Sequence, residues 1–228
     1  NMPFAGNYHL FSAEAIAKMG YPNEKNVPLS DNLWHHGDYP VLDYFLKHSA
    51  FDYYWKVEFD VRFVGEWSDF FDRFAHDDSD FLATEIKTPR TCPDWRWEQL
   101  VSPVPFNERI GCFFPVTRFS RKALEVLDRS YRAGIDGFCE VAVPTTLKSE
   151  GLSINDLGRS CYDGSTLGWK RFHRRKRGYL HHPVKKNWLV WFMTCRLRAF
   201  AIDVRMWIGL RTRVRNAAKC IRSVFFRR

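Results

Sequence analysis

No stretch of this chain is apolar for long enough to cross a bilayer: the longest run, Trp188 to Cys195, falls well short of the roughly 20 residues a spanning helix needs. The N-terminal residues show no charged-then-apolar leader pattern. Both absences point to a protein working in the cytoplasm, dissolved or resting on a membrane surface. No internal repeat appears, which argues against a solenoid or propeller. The six cysteines (Cys92, Cys112, Cys139, Cys161, Cys195, Cys220) include no CxxC pair, and a chain of this size does not need disulfide staples. Reduced thiols are the expectation. Acid is scarce only at one end: from Trp169 onward Asp203 alone faces 18 Lys or Arg, leaving 17 bases and 25 acids before it. The net charge of +9 therefore belongs to the last quarter and does not mark the body as a nucleic-acid binder.

What is present is apolar and aromatic, 45% and 17% of 228 residues, enough for one sizeable core and too short for two ordinary domains. The expectation is a globular domain over 1–187 and a basic amphipathic helical tail over 188–228. Asn1 at the start suits a segment that begins inside a longer polypeptide. Ser12 to Met19 reads as a helix with Ser12 as N-cap and Gly20 past its end. Gly20 to Pro40 reads as a loop, and Val41 to His48 as a helix. Trp55, Val57, Phe59, Val61 and Phe63 alternate with charged residues, a strand signature. A helix is expected over 67–74, a strand over 80–85, a loop rich in Trp and Pro over 89–105, and a strand from Pro115 feeding an amphipathic helix over 121–133. Val141 to Leu147 and Gly151 to Leu157 read as short extended or loop pieces. Helices alternating with short strands indicate an α/β fold.

Three groups of residues bear chemistry. Glu58 and Asp60, two apart, would project to one side of a strand and could take a hard divalent cation while leaving positions open for a diphosphate. An isolated Glu-x-Asp is more often an edge strand with solvated charges, an arrangement that fits Lys56 and Arg62 sharing that face. Glu140, in Gly137-Phe138-Cys139-Glu140-Val141, is a candidate base for removing a proton from an attacking hydroxyl, with Asp136 as the nearer substitute; a capping or salt-bridging glutamate is the competing reading. In Tyr179-Leu180-His181-His182-Pro183-Val184-Lys185, an imidazole suits a divalent metal and an ammonium suits developing phosphate charge, although a His-His pair in a basic segment is also a common surface feature.

The run Tyr54-Trp55-Lys56-Val57-Glu58-Phe59-Asp60-Val61-Arg62-Phe63 resembles the acidic Asp-x-Asp-like motif that GT-A glycosyltransferases carry after a hydrophobic strand, and the resemblance extends over roughly residues 30 to 190. It implies a GT-A-like (Rossmann-like) mixed sheet flanked by helices, lacking all or part of its first β-α-β unit because too few residues precede Glu58. It further implies that Asp60 ligates Mn²⁺ or Mg²⁺, with Glu58 on the ribose or a metal-bound water. His182 would complete the metal shell, His181 being the alternative, and Lys185 would neutralise the diphosphate. Asp38 and Arg62 would serve nucleotide-sugar binding. Glu140 would be the catalytic base, and Trp95 and Trp97 would offer an acceptor platform. The implied activity is metal-dependent transfer of a sugar from a nucleotide diphosphate donor to a glycan or lipid-linked acceptor, as in polysaccharide biosynthesis. The alternative is a degenerate, non-catalytic domain that binds while tethered to a membrane or nucleic acid.

In the tail, Leu197, Phe200, Val204, Trp207, Ile208, Val214, Ala218, Ile221 and Phe225 recur at three- and four-residue steps among arginines. A cationic amphipathic helix of this kind inserts its apolar face into an anionic membrane interface. A nucleic-acid arm would need no such stripe, so nucleic acid is the less expected partner. Packing of the helix on its own domain, or on a second copy, is the remaining alternative.

Overall fold

The computed structural model describes residue 9 and residues 11–22, 33–167 and 176–184. Asn1–Pro183 forms one compact unit; the other, Val184–Arg228, lies outside the described residues except for Val184, and with it the expected tail helix.

The chain opens with α1 (Ala13–Met19), whose N-cap Ser12 accepts the Ala15 N–H and whose end is turned by Gly20 in the left-handed region, as the sequence indicates. Helix α2 (Tyr39–Lys47) starts with a proline in its first turn. There follow β1 (Tyr53–Val57), β2 (Arg62–Phe63), α3 (Trp67–Asp72) and β3 (Phe81–Lys87), then β4 (Leu100–Val101) inside the Trp- and Pro-rich loop. The long β5 (Gly111–Ser120) feeds α4 (Arg121–Arg132), whose N-cap Ser120 accepts the Ala123 N–H. Last come β6 (Asp136–Gly137), α5 (Cys139–Ser149), β7 (Ile154–Asp156) and β8 (Leu180–His181).

A four-stranded mixed sheet in the order β1-β5-β3-β7 forms the centre. Strand β5 is antiparallel to both β1 and β3, while β3 and β7 are parallel. Strands β1, β3 and β7 therefore run the same way and end at one edge, where β5 begins. Helices lie on both faces. On one, α1, α2, α4 and α5 contribute Ile16, Leu42, Phe45, Leu124, Leu127, Val143 and Leu147 to a core with Phe81, Ala83 and Phe119. On the other, Phe70 of α3 packs with Leu82, Val116, Leu157, Tyr162 and Leu180. Cys112 and Phe114 join the first core, yet beyond Pro115 Val116 joins the second and Phe119 the first. Proline cannot donate to a ladder, and the strand bulges around it, re-aiming the side chains.

Two expectations are corrected. The alternation from Trp55 to Phe63 is not one strand: β1 stops at Val57, Glu58–Asp60 form a turn, and Phe59 is 96% exposed. The turn is fixed by the Glu58 N–H on the Pro115 carbonyl (2.9 Å) and the Val61 N–H on the Glu58 carbonyl (3.0 Å), after which β2 leaves the main sheet to pair with β8. The segment Val141–Leu147 is helical, not extended. Its β-branched residues and Pro144 favour strand or loop, but every side chain from Cys139 to Leu147 is buried, and that packing overrides local propensity. Among the described residues no helix is long and apolar enough to cross a membrane.

Candidate metal centre and its surroundings

In sheets of this kind ligands gather beyond the C-terminal ends of the parallel strands. The turn after β1 places Glu58 and Asp60 at that edge. The second contribution comes from far along the chain: β2 pairs with β8 through Arg62 opposite His181 and Phe63 opposite Leu180, which delivers His182 beside the turn. His182 Nε2 lies 3.2 Å from Glu58 Oε2 and 3.2 Å from Asp60 Oδ1. The three ligand atoms fall within 4.8 Å of one another. Asp60 and His182 are buried and Glu58 is half-buried.

The imidazole is located by its backbone N–H on the Thr166 carbonyl (3.0 Å) and by the Phe113 ring, edge-on at 5.3 Å. Its Nδ1 is enclosed, with no hydrogen-bond partner among the described residues, and its Nε2 faces the two carboxylates. His181 turns away: its Nε2 faces the backbone of Lys176, 3.2 Å from the amide nitrogen. Geometry thus separates two adjacent histidines that the sequence left as alternatives.

This donor set fits a divalent ion. Adjacent ligands of an octahedral site with bonds of about 2.1 Å lie about 3 Å apart, close to the spacing of His182 from both carboxylates. Two carboxylates with one imidazole, leaving further positions open, could hold a divalent metal ion. Lys56 Nζ bonds Glu58 Oε1 (2.7 Å) and the Phe114 carbonyl (2.8 Å) and so balances one of the charges. Burial pushes the Glu58 carboxyl up, but the hydrogen bond from His182 and the charge and hydrogen bond of Lys56 outweigh it and hold the group at about 2.

Glu140 enters from the first turn of α5. It is 8% exposed, and its Oε1 accepts at 3.3 Å the N–H of Phe114, the residue whose carbonyl anchors Lys56. Burial raises its pKa to about 7 against the opposing charge of Lys87, and the negative charge of Glu58 adds to the rise. A carboxyl group with a pKa near neutrality is what proton abstraction at physiological pH requires.

Other expected residues lie elsewhere. Asp38 is fully enclosed, bonded at 2.6 Å to the hydroxyl of Tyr131, and burial raises its pKa; it is a core carboxyl below the site and presents no surface to a nucleotide. Asp136 sits on β6, where its Oδ1 accepts the Gly137 N–H (2.7 Å) and lies 3.6 Å from His36 Nε2. Arg62 is exposed on β2. Trp97 is buried with its Nε1 on the Cys92 carbonyl, so it belongs to the core, and Trp95 is half-buried beneath Lys87. Lys185 lies outside the described residues. Sequence reasoning passed over Lys56 as a charge partner of Glu58, because charges alternating along a strand carry no signal of the edge they reach.

Comparison with known proteins adds one link. The model of a family described as a protein of unknown function (DUF3405) matches residues 3–80, a stretch that includes Glu58 and Asp60 but neither Glu140 nor His182. No curated protein and no solved structure matches the chain.

Proposed function

We propose that the chain is a metal-dependent glycosyltransferase of the GT-A type, transferring a sugar from a nucleotide diphosphate donor to a glycan or lipid-linked acceptor. One observation carries the reading: Glu58, Asp60 and His182, contributed by separate parts of the sequence, converge at the strand edge within reach of one ion. The mixed sheet with helices on both faces is consistent with the later part of such a domain. When bound, Mn²⁺ or Mg²⁺ supplies positive charge against the diphosphate as it departs.

The remaining work falls to the chain. Lys56 keeps Glu58 ionised and aimed. Phe113 and Thr166 hold the imidazole of His182 in place. Glu140, anchored on the Phe114 N–H, accepts the proton of the acceptor hydroxyl as that oxygen attacks the anomeric carbon. The basic tail, by its sequence, brings the domain to an anionic membrane surface where a lipid-linked acceptor resides.

The test is metal-dependent nucleotide binding. With Mn²⁺ present, UDP or GDP at a hundredfold excess over Kd should stabilise the protein by about 2.7 kcal/mol, a rise in thermal midpoint of roughly 5–10 °C. The rise should disappear with EDTA and in Asp60→Asn, which preserves shape and removes an anionic ligand. Nucleotide binding that ignores both EDTA and Asp60→Asn, or no binding at all, sinks the reading in favour of a non-catalytic domain.

A further inference from the structure

Glu85 is the one non-glycine residue among those described with a positive φ, 53°. That conformation is strained for any residue bearing a β-carbon and persists only where neighbours impose it. Here they do. The Glu85 N–H donates to the Tyr162 hydroxyl at 2.7 Å, that hydroxyl donates to the Asp156 carboxylate, and Asp156 Oδ2 accepts the Ile86 N–H at 3.1 Å. The pairing of β3 with β5 slips between Thr84 and Lys87, the interval that holds Glu85, as it does just before, between Leu82 and Thr84. A bulge is thus pinned at the C-terminal end of β3, on the edge where β1 presents Glu58 and Asp60.

The bulge delivers a charge pair. Glu85 Oε2 lies 2.9 Å from Lys87 Nζ, and the ammonium rests 3.8 Å from the centre of the Trp95 ring, whose Nε1 is enclosed and without a partner among the described residues. The pair and the metal centre share a neighbour, the Phe113 ring: Lys87 Nζ is 5.9 Å from its centre and the His182 ring 5.3 Å.

We propose that Glu85 and Lys87 bind the hydroxyls of the sugar carried by the donor and so select which sugar is transferred; this rests on the transferase reading above. Neighbouring hydroxyls of a pyranose ask for an acceptor and a donor side by side, which the carboxylate and the ammonium supply. A phosphate would meet the negative charge of Glu85. Tyr162 and Asp156 are positioning residues that act only through the bulge.

Calorimetric titration of the full chain with Mn²⁺ tests this, using UDP and GDP alone and the epimer pairs UDP-glucose with UDP-galactose and GDP-glucose with GDP-mannose. The wild type should bind one member of a pair about tenfold more tightly than its epimer, the scale of one charge-assisted hydrogen bond. Glu85→Gln and Lys87→Met should erase that preference while leaving the affinity for the bare nucleotide within about twofold. Tyr162→Phe should reduce the preference without touching nucleotide affinity. Glu85→Gly, free of backbone strain, should keep or raise the thermal midpoint and still lose the preference, which separates selectivity from folding. No epimer preference in the wild type, or a wild-type preference retained in Glu85→Gln and Lys87→Met, overturns the assignment while metal-dependent nucleotide binding stands. Loss of that binding in the wild type overturns both readings.

Discussion

Glu140 carries two opposed consequences of one environment. Burial that lifts its pKa to about 7 makes it a base at neutral pH, and the same burial penalises its charged form in the folded state only. In the unfolded chain the group ionises near 4.5, so between about 4.5 and 7 the folded state holds more protons, and stability falls as pH rises through that window. The loss is on the order of 3 kcal/mol at pH 8. Glu140→Gln keeps the acceptor for the Phe114 N–H and should therefore raise the thermal midpoint at pH 8 more than at pH 5, while lowering sugar transfer by about 10²-fold or more. In the wild type, kcat/KM should climb between about pH 6 and 8. A flat pH profile, with normal turnover in the variant, would move the base elsewhere. The sequence marked Glu58, Asp60, Glu140 and the His181-His182 pair as candidates, because carboxylates and imidazoles near apolar strands stand out, and the structure brings Glu58, Asp60 and His182 together. Asp38 stood out by the same signal and is a core residue, since one-dimensional patterns do not reveal that Tyr131 covers it.

At the scale of elements, β6 and the start of α5 decide where Glu140 points, and Gly137 fixes both. Its φ is 136°, and a β-carbon there would meet the Gln99 carbonyl oxygen at 2.1 Å, backbone that cannot swing aside. Gly137 also pairs with Leu100 across β4 and β6, and the next amide, Phe138 N–H, bonds the same Gln99 carbonyl at 3.2 Å. Gly137→Ala should destabilise by about 3 kcal/mol or more, summing backbone strain and the clash, whereas Gly134→Ala, also at positive φ but with open space around the added carbon, should cost about 1 kcal/mol. Urea denaturation of the two variants side by side measures this. Helices whose polar and apolar faces are distinct, α1, α2 and α4, were legible from spacing. The 141–147 segment was not, because a fully buried helix has no polar face to set a period. The end of β1 was hidden for a different reason: hydrophobic alternation continued through Phe59, and only the tertiary bond from Glu58 to Pro115 ends the strand.

At the scale of the whole molecule, the uneven charge sets a prediction that the sequence carries alone. Residues 188–228 hold ten Lys or Arg against Asp203, with an apolar stripe between them. Deleting residues 196–228 should release the protein from vesicles containing anionic lipid and leave Mn²⁺-dependent nucleotide binding intact. High salt should weaken the binding of the full chain only partly, since insertion survives screening and attraction does not. Co-sedimentation of both forms at two salt concentrations decides between this and a tail that packs on its own domain, for which deletion would unfold the protein. The pairing of a turn at 58–60 with His182 has a different outcome for the molecule's durability. Strand β8 is only two residues long; besides its pairing with β2 and the Leu180 and His182 amides on the Cys161 and Thr166 carbonyls, the side chain of His182 ties the segment 176–184 to the turn at 58–60. An ion shared by these three residues acts as a cross-link closing most of the domain into a ring, and such closures suppress opening of the segments they join. Cleavage by trypsin after Lys176 or Arg177 should then slow when Mn²⁺ is added and quicken with EDTA, so that the time course of proteolysis reports occupancy of the site before any substrate is known.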